Sequence, residues 1–286
     1  MKVLVTGVTG QLGFDVVREL QRRGVECRGA SRQVFALTDY AAAEQYINDY
    51  RPDAVIHCAA YTAVDRAEDE PQLCAAVNGT ATEHIAKACA EIGCKMVYIS
   101  TDYVFDGQGE RFYEPDDAKG PQNIYGQTKL AGEQAVQALL EKYFIVRISW
   151  VFGSNGKNFI KTMRSLGRTH DRLTVVADQV GSPTYTVDLA RLLADMIETD
   201  RYGVYHATNE GICSWAELAQ EVFRQSGMAV EVVPVGSEAY PTKAVRPKNS
   251  RLSKRCLDAA GFARLPSWQD AVQRFLQELA EVSRTE

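Results

Sequence analysis

The chain has no excess of basic charge. Its 286 residues carry a formal net charge of −5, so there is no electrostatic footprint for nucleic acid. Anionic ligands must then be met by a few placed Arg and Lys side chains, not by an overall field. The seven cysteines (Cys27, Cys58, Cys74, Cys89, Cys94, Cys213 and Cys256) are odd in number, scattered and never spaced C-x-x-C. That argues against a disulfide framework or a zinc site and fits a reducing compartment. No apolar run approaches the ~18 residues of a membrane span. Met1 to Gly7 runs straight into a strand and a glycine turn, without the charged region, long apolar stretch and cleavage site of a signal peptide. No repeat or low-complexity tract is visible. Together these absences predict a cytoplasmic protein with neither a membrane nor a nucleic-acid partner.

What is present is ordinary for a globular chain: 45% hydrophobic and 24% charged residues. The length suits one large core, or one domain with a smaller lobe. Short apolar runs (3–6, 25–30, 53–57, 95–100 and 144–148) alternate with amphipathic stretches (12–23, 41–50, 71–92 and 125–141). Strands separated by helices of this length predict an α/β fold, a Rossmann-type doubly wound parallel sheet. After about Val151 turn-rich pieces separate short helices at 187–198, 215–225 and 267–279. The expected division is a dinucleotide-binding domain over 1–150 and a smaller α/β substrate-binding lobe, mainly 151–286. Segments are expected to exchange between the two.

Gly7, Gly10 and Gly13 lie between the first strand and the first helix, with Gln11 and Leu12 among them. Glycines there allow a tight turn and close approach of a pyrophosphate, which the free N–H groups of the helix start then bind. The spacing Gly-x-x-Gly-x-x-Gly resembles that of the extended short-chain dehydrogenases. An NAD site usually has a carboxylate about 20 residues further on, for the ribose hydroxyls. Here the chain reads Gly29-Ala30-Ser31-Arg32. Ser31 and Arg32 suit the 2′-phosphate of NADPH, which is therefore favoured over NADH. Ala36 and Leu37, with Ala60, Tyr61 and Thr62, are expected along the adenine and the inner ribose.

Tyr125 and Lys129 stand four residues apart on a helix, and so on one face. An ammonium beside a phenol favours the phenolate and lowers its pKa from ~10, making the phenol a workable proton relay. Lys129 is also placed to bond the nicotinamide ribose. Thr101 lies 24 residues before Tyr125 at the carboxyl end of a strand, the edge at which open α/β sheets bind ligands. Its hydroxyl suits a substrate carbonyl and the alkoxide that develops there.

With these motifs the chain resembles the dTDP-4-dehydrorhamnose reductase family of extended short-chain dehydrogenases. The resemblance spans nearly the whole length. It rests on Gly7 to Gly13, His57 to Asp65, Ser100 to Gly107, Tyr125 to Lys129, Arg147 to Gly153, Gly156 to Phe159, Asp178 to Thr184 and Arg246 to Ser250. It implies Tyr125 as proton donor, Lys129 as its partner and Thr101 as a tuner of the tyrosine. Gly10, Gln11 and Leu12 would bind the cofactor phosphates. Val64, Asp102, Tyr103 and Trp150 would contact the sugar nucleotide, with Asn158 and Arg246 at its nucleotide end. The implied reaction is NADPH-dependent reduction of the C4 ketone of dTDP-4-dehydro-L-rhamnose.

Some family members join two subunits through magnesium held by a carboxylate early in the first helix. The nearby residue here is the shorter Asp15, so the sequence assigns no metal ligand, leaves magnesium undecided and leaves monomer and homodimer both open. Three alternative readings stand beside this one. Nucleotide-sugar dehydratases usually carry Asp-Glu after the threonine, whereas Asp102 is followed by Tyr103, which argues against water loss. Reduction of another nucleotide 4-keto-deoxysugar stays open, because one pocket residue shifts such preferences. A non-catalytic NADP-binding subunit, like the regulatory subunit of methionine adenosyltransferase, is disfavoured by the intact Thr101, Tyr125 and Lys129.

Overall fold

The computed structural model describes residues 1–285, with side chains for residues 1–281. Its centre is the expected parallel sheet. The strands are β1 (Lys2–Thr6), β2 (Glu26–Ala30), β3 (Ala54–His57), β4 (Lys95–Thr101), β5 (Tyr143–Ile148) and β6 (Gly203–His206). They lie in the order β6-β5-β4-β3-β1-β2, and every pairing is parallel. Val3, Leu4 and Val5 are fully buried, as a strand covered on both faces requires. Strand order reverses between β1 and β3, and that crevice is where such sheets take ligands.

One face is covered by α1 (Gln11–Arg22) and a later helix, Thr186–Ile197, which packs on it. The other face carries α2 (Tyr40–Tyr50), Ala81–Ile92 and Ile124–Leu139. Their apolar sides form two cores, one around Val5, Val16, Ile56 and Leu193 and one around Leu4, Ile47, Ile85 and Val136. The sheet layer therefore draws on residues beyond 150, because β6 and Thr186–Ile197 both belong to it. A third core, around Phe152, Met163, Phe223, Trp268 and Phe275, belongs to the second lobe. That lobe includes a helix the sequence did not reveal, Phe159–Leu166, whose N-terminal N–H of Lys161 bonds the Asn158 side chain at 3.0 Å.

The continuous helix expected over 71–92 is interrupted. Pro71–Ala75 and Ala81–Ile92 are α-helical, but Ala76–Thr80 winds as a π-helix. Val77, Asn78 and Gly79 are weak helix formers, and the widened turn pays out one buried polar side chain. Asn78 accepts from the Tyr61 N–H at 2.8 Å and donates to the Tyr61 carbonyl at 3.1 Å. The Asn78 carbonyl accepts from Tyr98 and Thr82. Among the described residues no helix is long and apolar enough to cross a membrane.

The turn after β1 depends on a missing side chain. Gly7 has φ +71°, and a Cβ there would lie 2.7 Å from the Ala59 backbone. Gly7→Ala should therefore cost about 1–3 kcal/mol in urea unfolding, from overpacking and a left-handed backbone. A loss below about 0.5 kcal/mol would mean that the turn is looser than described.

Candidate active site

A cleft of about 1030 Å³ opens at the carboxyl ends of β1, β3, β4 and β5, between the sheet and the second lobe. Every residue expected at the site lines it. Thus positions as distant in sequence as Gly7, Tyr125 and Arg246 meet in one place.

At one end is the glycine turn. Gly10 caps α1 without a side-chain bond, so the first N–H groups of the helix face the cleft free of side-chain competition. A Cβ on Gly13 would lie 2.4 Å from the Gly7 carbonyl, which is why helix and turn pack so closely. The Arg32 guanidinium is exposed at the rim and forms no ion pair among the described residues. Ser31 beside it accepts from the Gln33 N–H at 3.2 Å. The cradle, the uncapped helix start and the free guanidinium fit a dinucleotide with a 2′-phosphate.

Three polar residues at this end are engaged within the chain itself. The Gln11 side chain accepts from the Gly153 N–H at 3.0 Å and from the Asn158 amide at 2.9 Å. The remaining polar atoms of Asn158 bond Gly153 and Lys161. Asn158 therefore touches the cleft, but its amide is spent on pinning the second lobe to the glycine turn. The Asp15 carboxylate is 2% exposed and bonded to Thr186 at 2.5 Å and Arg18 at 3.2 Å. Among the described residues no group of three or more His, Cys, Asp or Glu is placed to hold a metal ion.

The middle of the cleft holds Thr101, Tyr125 and Lys129. Tyr125 and Lys129 lie on α3 (Ile124–Leu139), one turn apart. That helix comes close because residue 126 is glycine: a Cβ there would meet the Tyr103 carbonyl at 2.3 Å. Lys129 is buried, with Nζ 4.1 Å from the centre of the Tyr98 ring. Loss of hydration pulls its ammonium down to about 7, and Glu133 opposes the fall.

Tyr125 behaves differently from the expected low-pKa phenol. Loss of hydration pushes it well above its ordinary value; the Thr101 hydrogen bond opposes this, and Asp102 and Tyr103 add to it. Lys129 is not among its leading influences, because burial weakens the ammonium itself. At neutral pH the phenol is thus held protonated.

The Thr101 hydroxyl has one proton and donates it to Asp102 Oδ1 at 3.0 Å. The same oxygen accepts from the Tyr103 N–H at 3.3 Å, and beside Tyr125 the Thr101 hydroxyl acts to lower the phenol's pKa. Asp102 in turn accepts from Ser250, a residue of the second lobe. Burial raises the Asp102 carboxyl to about 6 against the hydrogen bonds of Ser250 and Thr101.

Further out, Arg246 donates to the Tyr103 hydroxyl at 3.2 Å and to Asp65 at 2.5 Å. Tyr103 meets Tyr125 edge-on, ring centres 5.4 Å apart. Trp150 adopts the left-handed φ of +49°, unusual for a bulky residue. Its ring stacks on Trp215 with centres 3.7 Å apart.

Trp215, Asp65, Glu70, Ser250, Glu133 and Arg147 were not singled out as site residues. Asp65, Arg147 and Ser250 lie inside motifs that were, and only the three-dimensional contacts give them a part. Glu70 lines the cleft and takes hydrogen bonds from Tyr61 at 2.7 Å and Arg66 at 2.5 Å.

Comparisons with known proteins show which chains this one is similar to. A family model described as RmlD substrate binding domain matches residues 1–281. The dTDP-4-dehydrorhamnose reductase of Streptomyces griseus is 43% identical over 94% of this chain and 91% of its own. A crystal structure of a dTDP-4-dehydrorhamnose reductase from Clostridium acetobutylicum superposes with a TM-score of 0.95 at 42% identity, covering 98% of this chain and 100% of that one. The corresponding structure from Bacillus anthracis, in complex with NADP, gives 0.94 at 42% identity over 97% and 99%.

The raised Asp102 value has a signed consequence. Asp102 titrates at about 6 in the fold against an ordinary 3.8. Between those values the folded chain holds a proton that the unfolded chain has lost, so this contribution to stability falls as pH rises through the window. Asp102→Asn removes that component. Its stability relative to wild type should rise by on the order of 1–3 kcal/mol across the window, read from urea unfolding at each pH. A difference that does not vary with pH would contradict the raised value.

Proposed function

The chain belongs to the RmlD substrate binding domain family, and from that premise we propose that it reduces the C4 ketone of dTDP-4-dehydro-L-rhamnose to dTDP-L-rhamnose, with NADPH as reductant. The observation that carries this reading is that Thr101, Tyr125 and buried Lys129 line the same cleft as the glycine turn.

The reduced nicotinamide supplies a hydride to the substrate carbon when bound. The chain's own residues do the rest. The N–H groups of α1 and the glycine turn hold the pyrophosphate, and Ser31 and Arg32 hold the 2′-phosphate. Ala36 and Leu37 line the adenine; Ala60, Tyr61 and Thr62 line the inner ribose. Lys129 bonds the nicotinamide ribose.

Tyr125 donates its phenolic proton to the carbonyl oxygen as the carbon is reduced, so the C=O double bond becomes CH–OH and a phenolate remains. Thr101 stabilises the charge developing on that oxygen by turning its hydroxyl proton from Asp102 to the substrate. The Lys129 ammonium balances the phenolate, which regains its proton from solvent between turnovers. A protonated phenol in the free cleft suits this direction, since a reductase needs its acid loaded before hydride arrives.

Val64, Asp102, Tyr103, Trp150 and Arg246 contact the sugar nucleotide. In this reading the division at about residue 150 is functional: residues 1–150 hold most of the dinucleotide site, and residues 151–286, apart from β6 and Thr186–Ile197, cover the substrate.

The direct test mixes the full chain with NADPH and dTDP-4-dehydro-L-rhamnose, follows loss of the reduced-nicotinamide absorbance and identifies the product by NMR. Turnover to dTDP-L-rhamnose supports the reading. Tight NADPH binding without turnover of this or any related 4-keto sugar points to the binding-subunit alternative. Tyr125→Phe should keep NADPH binding within about twofold and lose roughly 10²–10⁴ in kcat; wild-type turnover in that variant removes Tyr125 from the role of acid. Arg32→Ala should weaken NADPH roughly tenfold by equilibrium titration and leave NADH nearly unchanged. Equal losses for both cofactors would take Arg32 away from the 2′-phosphate.

A further inference from the structure

Directly behind Lys129, outside the cleft lining, lies an ion pair between Glu133 and Arg147. Both side chains are only 2% exposed, and no other ion pair among the described residues has both partners so buried. Arg147 Nε and Nη2 reach the two Glu133 oxygens at 2.8 and 2.7 Å. Ser100 donates to Glu133 at 2.5 Å, so three hydrogen bonds fix the carboxylate. Arg147 is held in turn by the Pro115 carbonyl at 2.8 Å and by His206 at 3.3 Å. Buried ion pairs add little net stability, because desolvation offsets their attraction. A well-packed apolar pair would serve the fold as well, so the placement of this one calls for another reason.

Glu133 follows Lys129 by four residues on α3, on the same face. The groups facing Lys129 come from four elements. His57 and Cys58 stand at the end of β3, Cys74 on the helix Pro71–Ala75, Tyr98 on β4, and Tyr125 with Glu133 on α3. Of these, Glu133 is the one carboxylate, and it exerts the largest favourable effect on the ammonium. Burial pulls Lys129 down to about 7 even with Glu133 working against the fall. Glu133 itself faces Ser100, Arg147, Tyr98 and Lys119.

We propose that Glu133, clamped by Arg147 and Ser100, is a positioning residue that keeps the Lys129 ammonium charged from the side away from the cleft. The arrangement meets two demands at once. Lys129 must be dry enough to act strongly on a phenol and a ribose, yet charged at working pH. A carboxylate within the cleft would repel an anionic dinucleotide; one beneath the helix does not contact it. Arg147 and Ser100 hold the Glu133 carboxylate in place through three hydrogen bonds.

This inference rests on the reductase reading, and its test separates the two. Wild type, Glu133→Gln and Glu133→Asp are compared from about pH 6 to about pH 9, reading kcat and KM with NADPH and the dTDP-4-keto sugar, and NADPH Kd by fluorescence. Losing the carboxylate lowers the pH at which Lys129 gives up its proton. The kcat ratio of wild type to Glu133→Gln should grow from about one at pH 6 to roughly tenfold or more at pH 8, while the KM for the sugar changes less. NADPH Kd should weaken along the same curve, and Glu133→Asp should fall between.

A ratio constant with pH, however large, would mean that the pair serves the fold alone and would overturn the proposal. Wild-type enzyme without turnover removes the reductase reading, while the Kd curve still decides on Glu133. If Glu133→Gln leaves Arg147 uncompensated and does not fold, the double variant Glu133→Gln/Arg147→Met leaves no orphan charge, and the same outcomes apply to it.

Discussion

Loss of hydration at the end of the sheet is the constraint on which the site depends. A phenol and an ammonium, one helical turn apart, are both drawn out of water. The same burial acts oppositely on them: it raises the acid and lowers the base. The phenol is therefore loaded with its proton and the ammonium is poised near neutrality. Closeness of the two groups on a helix does not by itself produce a phenolate. In the proposed reaction that ordering is an advantage, because the phenol must give up a proton that it first has to hold.

The second lobe does more than cover the cleft. Its Gln11-bound segment, anchored through Gly153 and Asn158, ties it to the glycine turn. Ser250 reaches the Asp102 carboxylate, and Arg246 links Tyr103 to Asp65. Through Asp102 the lobe fixes where the Thr101 proton points. The left-handed Trp150, at the junction of β5 with the lobe, belongs to the same seam. Backbone strain of this kind persists where surrounding contacts hold it, and here the Trp215 stack and the Thr184 N–H bonded to the Trp150 carbonyl do so.

Much of this was legible in the sequence. Alternation of short strand-like runs with amphipathic helices marked the first five sheet strands and their covering helices, four of the strands as apolar runs buried on both faces and the more exposed β2 by its place between two helices. The glycine turn, Thr101 and the Tyr125–Lys129 pair are local patterns with local causes. Contacts across long separations were not legible. β6 joins the sheet from beyond residue 200 because Gly203–His206 pairs with β5, and nothing in its own four residues announces that neighbour. The π-turn at Ala76–Thr80 answers to Tyr61 and Tyr98, both distant in sequence. The bond between Asn158 and Gln11, 147 residues apart, is likewise visible only in three dimensions. Ser250, Glu133 and Arg147 gain meaning only from what lies against them.

The most direct measurement of the central claim is the ionisation of Tyr125 itself. The full chain, carrying tyrosine labelled with carbon-13 at Cζ and with Tyr125→Phe as the assignment control, is titrated by NMR. The Tyr125 signal should keep its phenol position past the ordinary tyrosine value of ~10. A Tyr125 signal already at the phenolate position near neutral pH would contradict the account at its root.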